Sequence, residues 1–306
     1  MSGLPERARV YRNHHLDSTR WDTFRPRGGD IVIASSYKSG TTWTQAIVAH
    51  LLFQGKEFPA PVWRMSPWLD RRVIPLDQML ADLEAQRHRR FIKTHLALDG
   101  LPYFPEFRYI FVGRDGRDVA MSLWNHYCNY SETSFREYND TPGRVGPELP
   151  PPPAGLDAFW RGWCTRGWFD WEQDGWPFWS HFSTTQAWWR YRHLPNMLLV
   201  HYADLKQDPS GSIMRIAEFL EIDLEPERVE PIIEATSFTA MRQRGADYVP
   251  GGGARFKNGP AGFLHKGTNR QWEGTISPED LDLYDTAAKR ALTDECRRWL
   301  EQGGTV

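Results

Sequence analysis

The 306 residues carry 37 Lys and Arg against 39 Asp and Glu. The resulting net charge of −2 argues against bulk nucleic-acid binding, which favours basic domains. Cys128, Cys164 and Cys296 lie far apart, with no metal-ligand spacing and no even-numbered disulfide framework, which points to a reducing compartment. Residues 1–27 are polar and lack the apolar core of a signal peptide. No run approaches the ~20 apolar residues of a membrane helix, so a soluble, cytoplasmic protein is expected.

Residues 31–36 are apolar without alternation and predict a buried parallel strand. The strand runs into Lys38-Ser39-Gly40-Thr41-Thr42, and a helix follows over 42–54, with Gly55 as a suitable stop. Free amides at a helix N-terminus form an anion site. Lys38 adds charge, Ser39, Thr41 and Thr42 add hydroxyl donors, and Gly40 admits a close backbone approach. The loop reads as a cradle for a phosphate-like group, against the alternative of an ordinary turn with a surface lysine. The nucleotide-triphosphate pattern G-x-x-x-x-G-K-[ST] fails, because Ser35 stands five before Gly40 and Lys38 precedes the glycine.

Residues 91–95 predict a second strand. Lys93 and His95 are two apart and share a face. A histidine there can accept a hydroxyl proton, and a lysine can stabilise developing negative charge. An exposed strand end fits the same spacing. Residues 108–112 predict a third strand, followed by Arg114 and a helix from about 117 to 128 that holds Ser122. An arginine fork and a serine hydroxyl suit a phosphate. Arg114 and Arg117 could instead pair with Asp115 or Asp118.

Four consecutive prolines, Pro150 to Pro153, make residues 141–155 a surface loop or stiff spacer. Residues 160–189 hold eight tryptophans. Helix core is the expectation for most of them, with an aromatic acceptor pocket as the alternative. Residues 197–202 predict a fourth strand. Asp208-Pro209 then opens an amphipathic helix with Ile213, Ile216, Ala217 and Leu220 on one face. The stretch 248–272 has no Asp or Glu but contains Arg255, Lys257, His265, Lys266 and Arg270. Residues 249–272 suit a flap closing over an anion, or a solvated loop.

Strands alternating with helices imply an α/β fold with a central parallel sheet flanked by helices. With no repeat and no clear linker, residues 1–306 read as a single domain. Ligands in such sheets sit beyond the carboxyl ends of the strands. Lys38, His95 and Arg114 fall at or just past those ends and point into one crevice.

With these motifs in order, the chain resembles the soluble PAPS-dependent sulfotransferases. The family's Tyr-Pro-Lys-Ser-Gly-Thr-Thr-Trp is similar to Ser36-Tyr37-Lys38-Ser39-Gly40-Thr41-Thr42-Trp43. Its Lys-Thr-His-Leu matches Lys93-Thr94-His95-Leu96, and its Arg with a Ser eight residues on matches Arg114 and Ser122. Its Thr-Ser-Phe-x-x-Met matches Thr236-Ser237-Phe238-Thr239-Ala240-Met241, and its Arg-Lys-Gly appears as His265-Lys266-Gly267.

The resemblance implies that Lys38 and the adjoining amides bind the 5′-phosphosulfate. Trp43, Phe238, Thr236 and Tyr202 would hold the adenine. Arg114, Ser122, Lys266 and Gly267, with His265 in place of an arginine, would bind the 3′-phosphate. His95 would be the general base, supported by Lys93, with PAP as product and a small hydroxyl compound as acceptor. No metal site is expected. Tyr37 departs from the family's proline, and Arg270-Gln271-Trp272-Glu273 departs from its Gly-Asp-Trp-Lys. The dimer motif of animal members is not recognisable near residues 273–284. An ATP-dependent phosphotransferase, or a catalytically silent nucleotide-binding protein, is the alternative.

Overall fold

A computed structural model describes residues 3–306. Four parallel strands form its sheet: β1 (Ile31–Ser35), β2 (Phe91–Thr94), β3 (Arg108–Gly113) and β4 (Met197–His201), in the order β2-β1-β3-β4. Parallel pairing demands crossovers, and helices supply them on both faces. Alternate side chains of each strand therefore enter different cores. Val32, Ala34, Ile92, Tyr109 and Phe111 pack on one face. Ile31, Ile33, Phe91, Ile110 and Val112 pack on the other. Each large aliphatic chain so buried contributes roughly 1.5–3 kcal/mol.

Strands and helices fall close to their expected positions, and the differences are informative. β1 stops at Ser35 because the backbone turns away through Lys38 (φ 66°) and Gly40 (φ 115°). A left-handed lysine stores strain, which is a mark of a functional turn. His95 lies one residue past β2. Tyr202 leaves the sheet to open the short helix Tyr202–Gln207, capped by His201, whose Nδ1 accepts from the Ala203 amide at 3.2 Å. The amphipathic helix after Asp208 spans Pro209–Phe219, and Ile213, Ile216, Ala217 and Leu220 are buried as the pattern requires.

The tryptophan-rich stretch divides into two helices, Leu156–Thr165 and His181–Trp189, around an irregular segment. Trp160, Trp163, Trp188 and Trp189 are helix core. Residues 11–24, read from sequence only as polar, carry Tyr11, His14, His15, Leu16, Trp21 and Phe24 into the interior. Among the described residues, no helix is long and apolar enough to cross a membrane.

Candidate active site

The carboxyl ends of the four strands open into a cavity of about 340 Å³. Its lining includes Lys38, Gly40, Thr41, Thr42, Trp43, Lys93, His95, Arg114, Ser122, Tyr202, Thr236, Phe238, His265, Lys266 and Gly267. Six separate segments of chain thus bring their singled-out residues to one place. Ser39 is the exception. It is buried with its hydroxyl 2.8 Å from Ser36 Oγ, because the left-handed turn at Lys38 directs it inward. It does not line the cavity.

The loop's geometry follows from its residues. Helix Thr41–Phe53 begins at Gly40, and its first amides lack intrahelical acceptors. A Cβ on Gly40 would lie 2.8 Å from the Tyr202 ring, so the glycine serves both its φ angle and the approach of Tyr202. Thr41 Oγ1 and Ser35 Oγ, 2.5 Å apart, tie the helix start to the strand end.

His95 is buried and its ring is oriented by β1. Nδ1 lies 2.9 Å from the Ser35 carbonyl oxygen. A carbonyl only accepts, so Nδ1 carries the proton and Nε2 presents a lone pair. Nε2 is buried and has no partner among the described residues. Burial, with the charges of Lys93 and Lys38, holds the ring's pKa well below its ordinary value, so the ring is neutral at pH 7.

The lysines are desolvated as well. Burial, with Lys93 and Arg114 nearby, lowers Lys38 to about 7. Burial, with Arg71 nearby, lowers Lys93 to about 7. Lys38 Nζ sits 4.2 Å from the centre of the Phe263 ring, and Lys93 Nζ 5.2 Å from that of Trp68. A dry pocket crowded with cations is matched to an anion.

Arg114 binds the loop to the late flap. Its guanidinium donates to the Lys38 carbonyl (3.2 Å) and the Thr268 carbonyl (2.9 Å) and lies 4.2 Å from the Tyr202 ring centre. Its Nε is buried without a partner among the described residues, as is Trp43 Nε1. Such orphaned donors fit a bound nucleotide anion. The flap is further held by Tyr202 Oη and Lys206 Nζ, which donate to the Gly267 carbonyl at 3.2 and 2.8 Å. Asp118 accepts from the amides of Arg270 (2.9 Å) and Gln271 (3.1 Å). Asp118 therefore anchors the flap, and it does not pair with Arg114. Thr236 spends its hydroxyl proton on the Ile232 carbonyl at 2.7 Å.

On the far side of His95 the wall consists of Tyr37, Trp68, Arg71, His126, Tyr130 and Tyr138. None of the eight tryptophans of residues 160–189 lines the cavity. Trp179 stands behind it instead, 5.2 Å from Tyr37 and 6.1 Å from His95 between ring centres. The sequence reading did not anticipate Trp68, Arg71 or Tyr138. No group of three or more metal-ligating side chains gathers among the described residues.

Comparison with known proteins agrees with this architecture. The family described as "Sulfotransferase domain" matches residues 28–295. A glycolipid sulfotransferase of Mycobacterium bovis is 32% identical over 96% of this chain and 94% of its own length. Among solved structures, mouse sulfotransferase SULT7A1 complexed with PAP superimposes with a TM-score of 0.67 at 20% identity, covering 92% of this chain and 90% of that one. Retinol dehydratase in complex with androsterone and the inactive cofactor PAP gives a TM-score of 0.66 at 23% identity, covering 90% and 84%.

Proposed function

The chain belongs to the sulfotransferase family, and on that premise we propose that it moves the sulfuryl group of PAPS to a hydroxyl of a small apolar or aromatic acceptor. The observation that carries the reading is the bare Nε2 of a neutral, buried His95 in the same cavity as Lys38 and Lys93. Binding alone needs no such base.

In the proposed mechanism Lys38 and the amides at the start of helix Thr41–Phe53 hold the 5′-phosphosulfate. Trp43, Tyr202 and Phe238 enclose the adenine beside Thr236. Arg114, Ser122, His265, Lys266 and the Gly267 backbone receive the 3′-phosphate. His95 Nε2 takes the acceptor proton as the acceptor oxygen bonds to sulfur and the bond from sulfur to the phosphate oxygen breaks. Lys93 and Lys38 stabilise the charge on the transferring group and on the departing phosphate. Positioning and preorganised charge carry most of the rate.

The aromatic wall of Tyr37, Trp68, Tyr130 and Tyr138 supports an aryl or alkyl alcohol as acceptor. We read residues 1–306 as one sulfotransferase domain. We assign it to the cytoplasm, where its three unpaired cysteines, two of them buried, would stay reduced.

The test is transfer of radiolabelled sulfate from PAPS to a panel of phenols, alkyl alcohols, sterols and glycolipids. Labelled product from any of them supports the reading. Tight PAP binding with no product from the whole panel would favour a silent nucleotide-binding protein. Magnesium-dependent ATP binding without PAP binding would favour a phosphotransferase.

A further inference from the structure

Tyr37 occupies the turn beside Lys38, and hydrogen bonds run from it in two directions. Toward the cavity, Tyr37 Oη lies 3.3 Å from His126 Nε2, and His126 Nδ1 lies 3.4 Å from Lys38 Nζ. Toward the interior, Tyr37 Oη lies 2.9 Å from Tyr130 Oη, which lies 3.2 Å from His15 Nε2. His15 Nδ1 meets His14 Nδ1, and His14 Nε2 ends the series 2.9 Å from the Pro177 carbonyl oxygen. All five side chains between Lys38 and Pro177 are buried.

One atom sets the direction of every link. The Pro177 carbonyl can only accept, so His14 Nε2 carries a proton. Burial pushes His14 down to about 3 and holds His15 and His126 well below the usual histidine range, so each ring is neutral with one proton. His14 Nδ1 must then accept from His15 Nδ1–H, and His15 Nε2 must accept from the Tyr130 hydroxyl. Tyr130 Oη accepts from Tyr37, and Tyr37 Oη accepts from His126 Nε2–H. What remains at the cavity end is a lone pair on His126 Nδ1, facing the Lys38 ammonium.

We propose that this one-way chain, anchored at the Pro177 carbonyl and passing through Tyr37, makes His126 a positioning residue that holds the Lys38 ammonium by accepting one of its protons. The role of Lys38 in sulfuryl transfer rests on the function proposed above, whereas the polarity of the chain does not. Lys38 Nζ has one further acceptor, the Phe263 carbonyl oxygen, also at 3.4 Å, so His126 supplies the only side-chain acceptor among the described residues. The titratable groups around it are Lys93 and His95 at the end of β2, Arg114 after β3, His126 on helix Gly116–Cys128, and His265 on the flap. None of these is acidic. His126 in turn faces Lys38, Lys93, His95 and Arg71, which all disfavour a second proton on its ring. When the sulfur–oxygen bond to the 5′-phosphate breaks, the electron pair stays on the phosphate oxygen. A protonated Lys38 meets that charge, and a neutral amine would not.

Long-range 1H–15N correlation NMR on ligand-free protein with labelled histidines reads the tautomers directly. The expected result is Nε2–H for His126 and His14 and Nδ1–H for His15. Finding the His126 proton on Nδ1 would overturn the proposal. Tyr37→Phe removes one oxygen and cuts the chain. His126 then shifts toward Nδ1–H, and calorimetric PAP affinity at pH 7.5 falls at least about threefold relative to wild type, with a smaller loss at pH 6 where Lys38 is charged regardless. Adding His126→Asn, whose Oδ1 stands in for Nδ1, restores the wild-type pH profile. If Tyr37→Phe leaves both tautomer and profile unchanged, the proposal fails. Should that variant not fold, Tyr130→Phe cuts the same chain one link further on and carries the same expectation. The tautomers are read without turnover, so failure to find an acceptor would not touch them.

Discussion

His95 Nδ1 lies 2.9 Å from the carbonyl oxygen of Ser35, the last residue of the neighbouring strand β1. The backbone of one strand thereby sets the tautomer of a side chain carried just beyond another. Because β1 and β2 pair in fixed register, with Ala34 opposite Thr94, the ring cannot turn without breaking this bond.

His95→Ala is expected to lower turnover about 10²- to 10⁴-fold, the usual worth of a general base. PAP affinity, measured by calorimetry, should stay close to wild type, because the cofactor's proposed contacts lie elsewhere. Wild-type turnover in the variant would remove His95 from its role.

Lys38 and Lys93 give a pH dependence with a definite sign. Both sit at about 7 in the folded protein, against about 10.4 in an unfolded chain. Between those values the unfolded state binds more protons, so these groups make the ligand-free protein more stable as pH rises from 7 toward 10. A bound bisphosphate raises both values again. PAP binding at pH 8 should therefore take up roughly one to two protons, and affinity should weaken as pH climbs above 7. Calorimetry in two buffers of different ionisation enthalpy measures the uptake. An uptake of zero would mean that the lysines do not meet the anion.

Gly267→Ala tests the flap. Gly267 has φ 65°, and a Cβ there would come within 2.6 Å of the Phe238 ring. The methyl group must push Phe238 or the flap away from the nucleotide. PAP affinity should fall about tenfold while the melting temperature changes little, since the strain lies in a partly exposed segment. Unchanged affinity would argue that Phe238 does not touch the adenine.

Much of the site was legible in the sequence because short motifs sit at strand ends, where a parallel sheet gathers its ligands. Lys38, His95 and Arg114 each follow a buried apolar run, so local pattern alone was enough to place them in one crevice. Ser39 was misread because a motif does not reveal which way a side chain points when its neighbour adopts a left-handed turn. Trp68, Arg71 and Tyr138 were missed for a different reason. Trp68 and Arg71 reach the cavity from irregular chain and Tyr138 from the short helix Glu132–Asp140, held by contacts such as Arg71 to Glu137 and Tyr138, both at 3.1 Å, that no periodicity announces. His14 and His15 lie in a segment whose composition suggested solvent, yet tertiary packing buries them.

Tyr202 touches the strained loop through Gly40, stacks on Arg114, meets Trp43 edge-on at 5.5 Å between ring centres, and holds the flap through Gly267. Four positions, Gly40, Trp43, Arg114 and Gly267, from three separate stretches of the chain are thus answerable to one ring. Evolutionary drift at any of them is constrained by the others. A family member that replaces this tyrosine with a smaller residue should carry a compensating change at position 40, 114 or 267, so positions 40, 114, 202 and 267 should covary as a set.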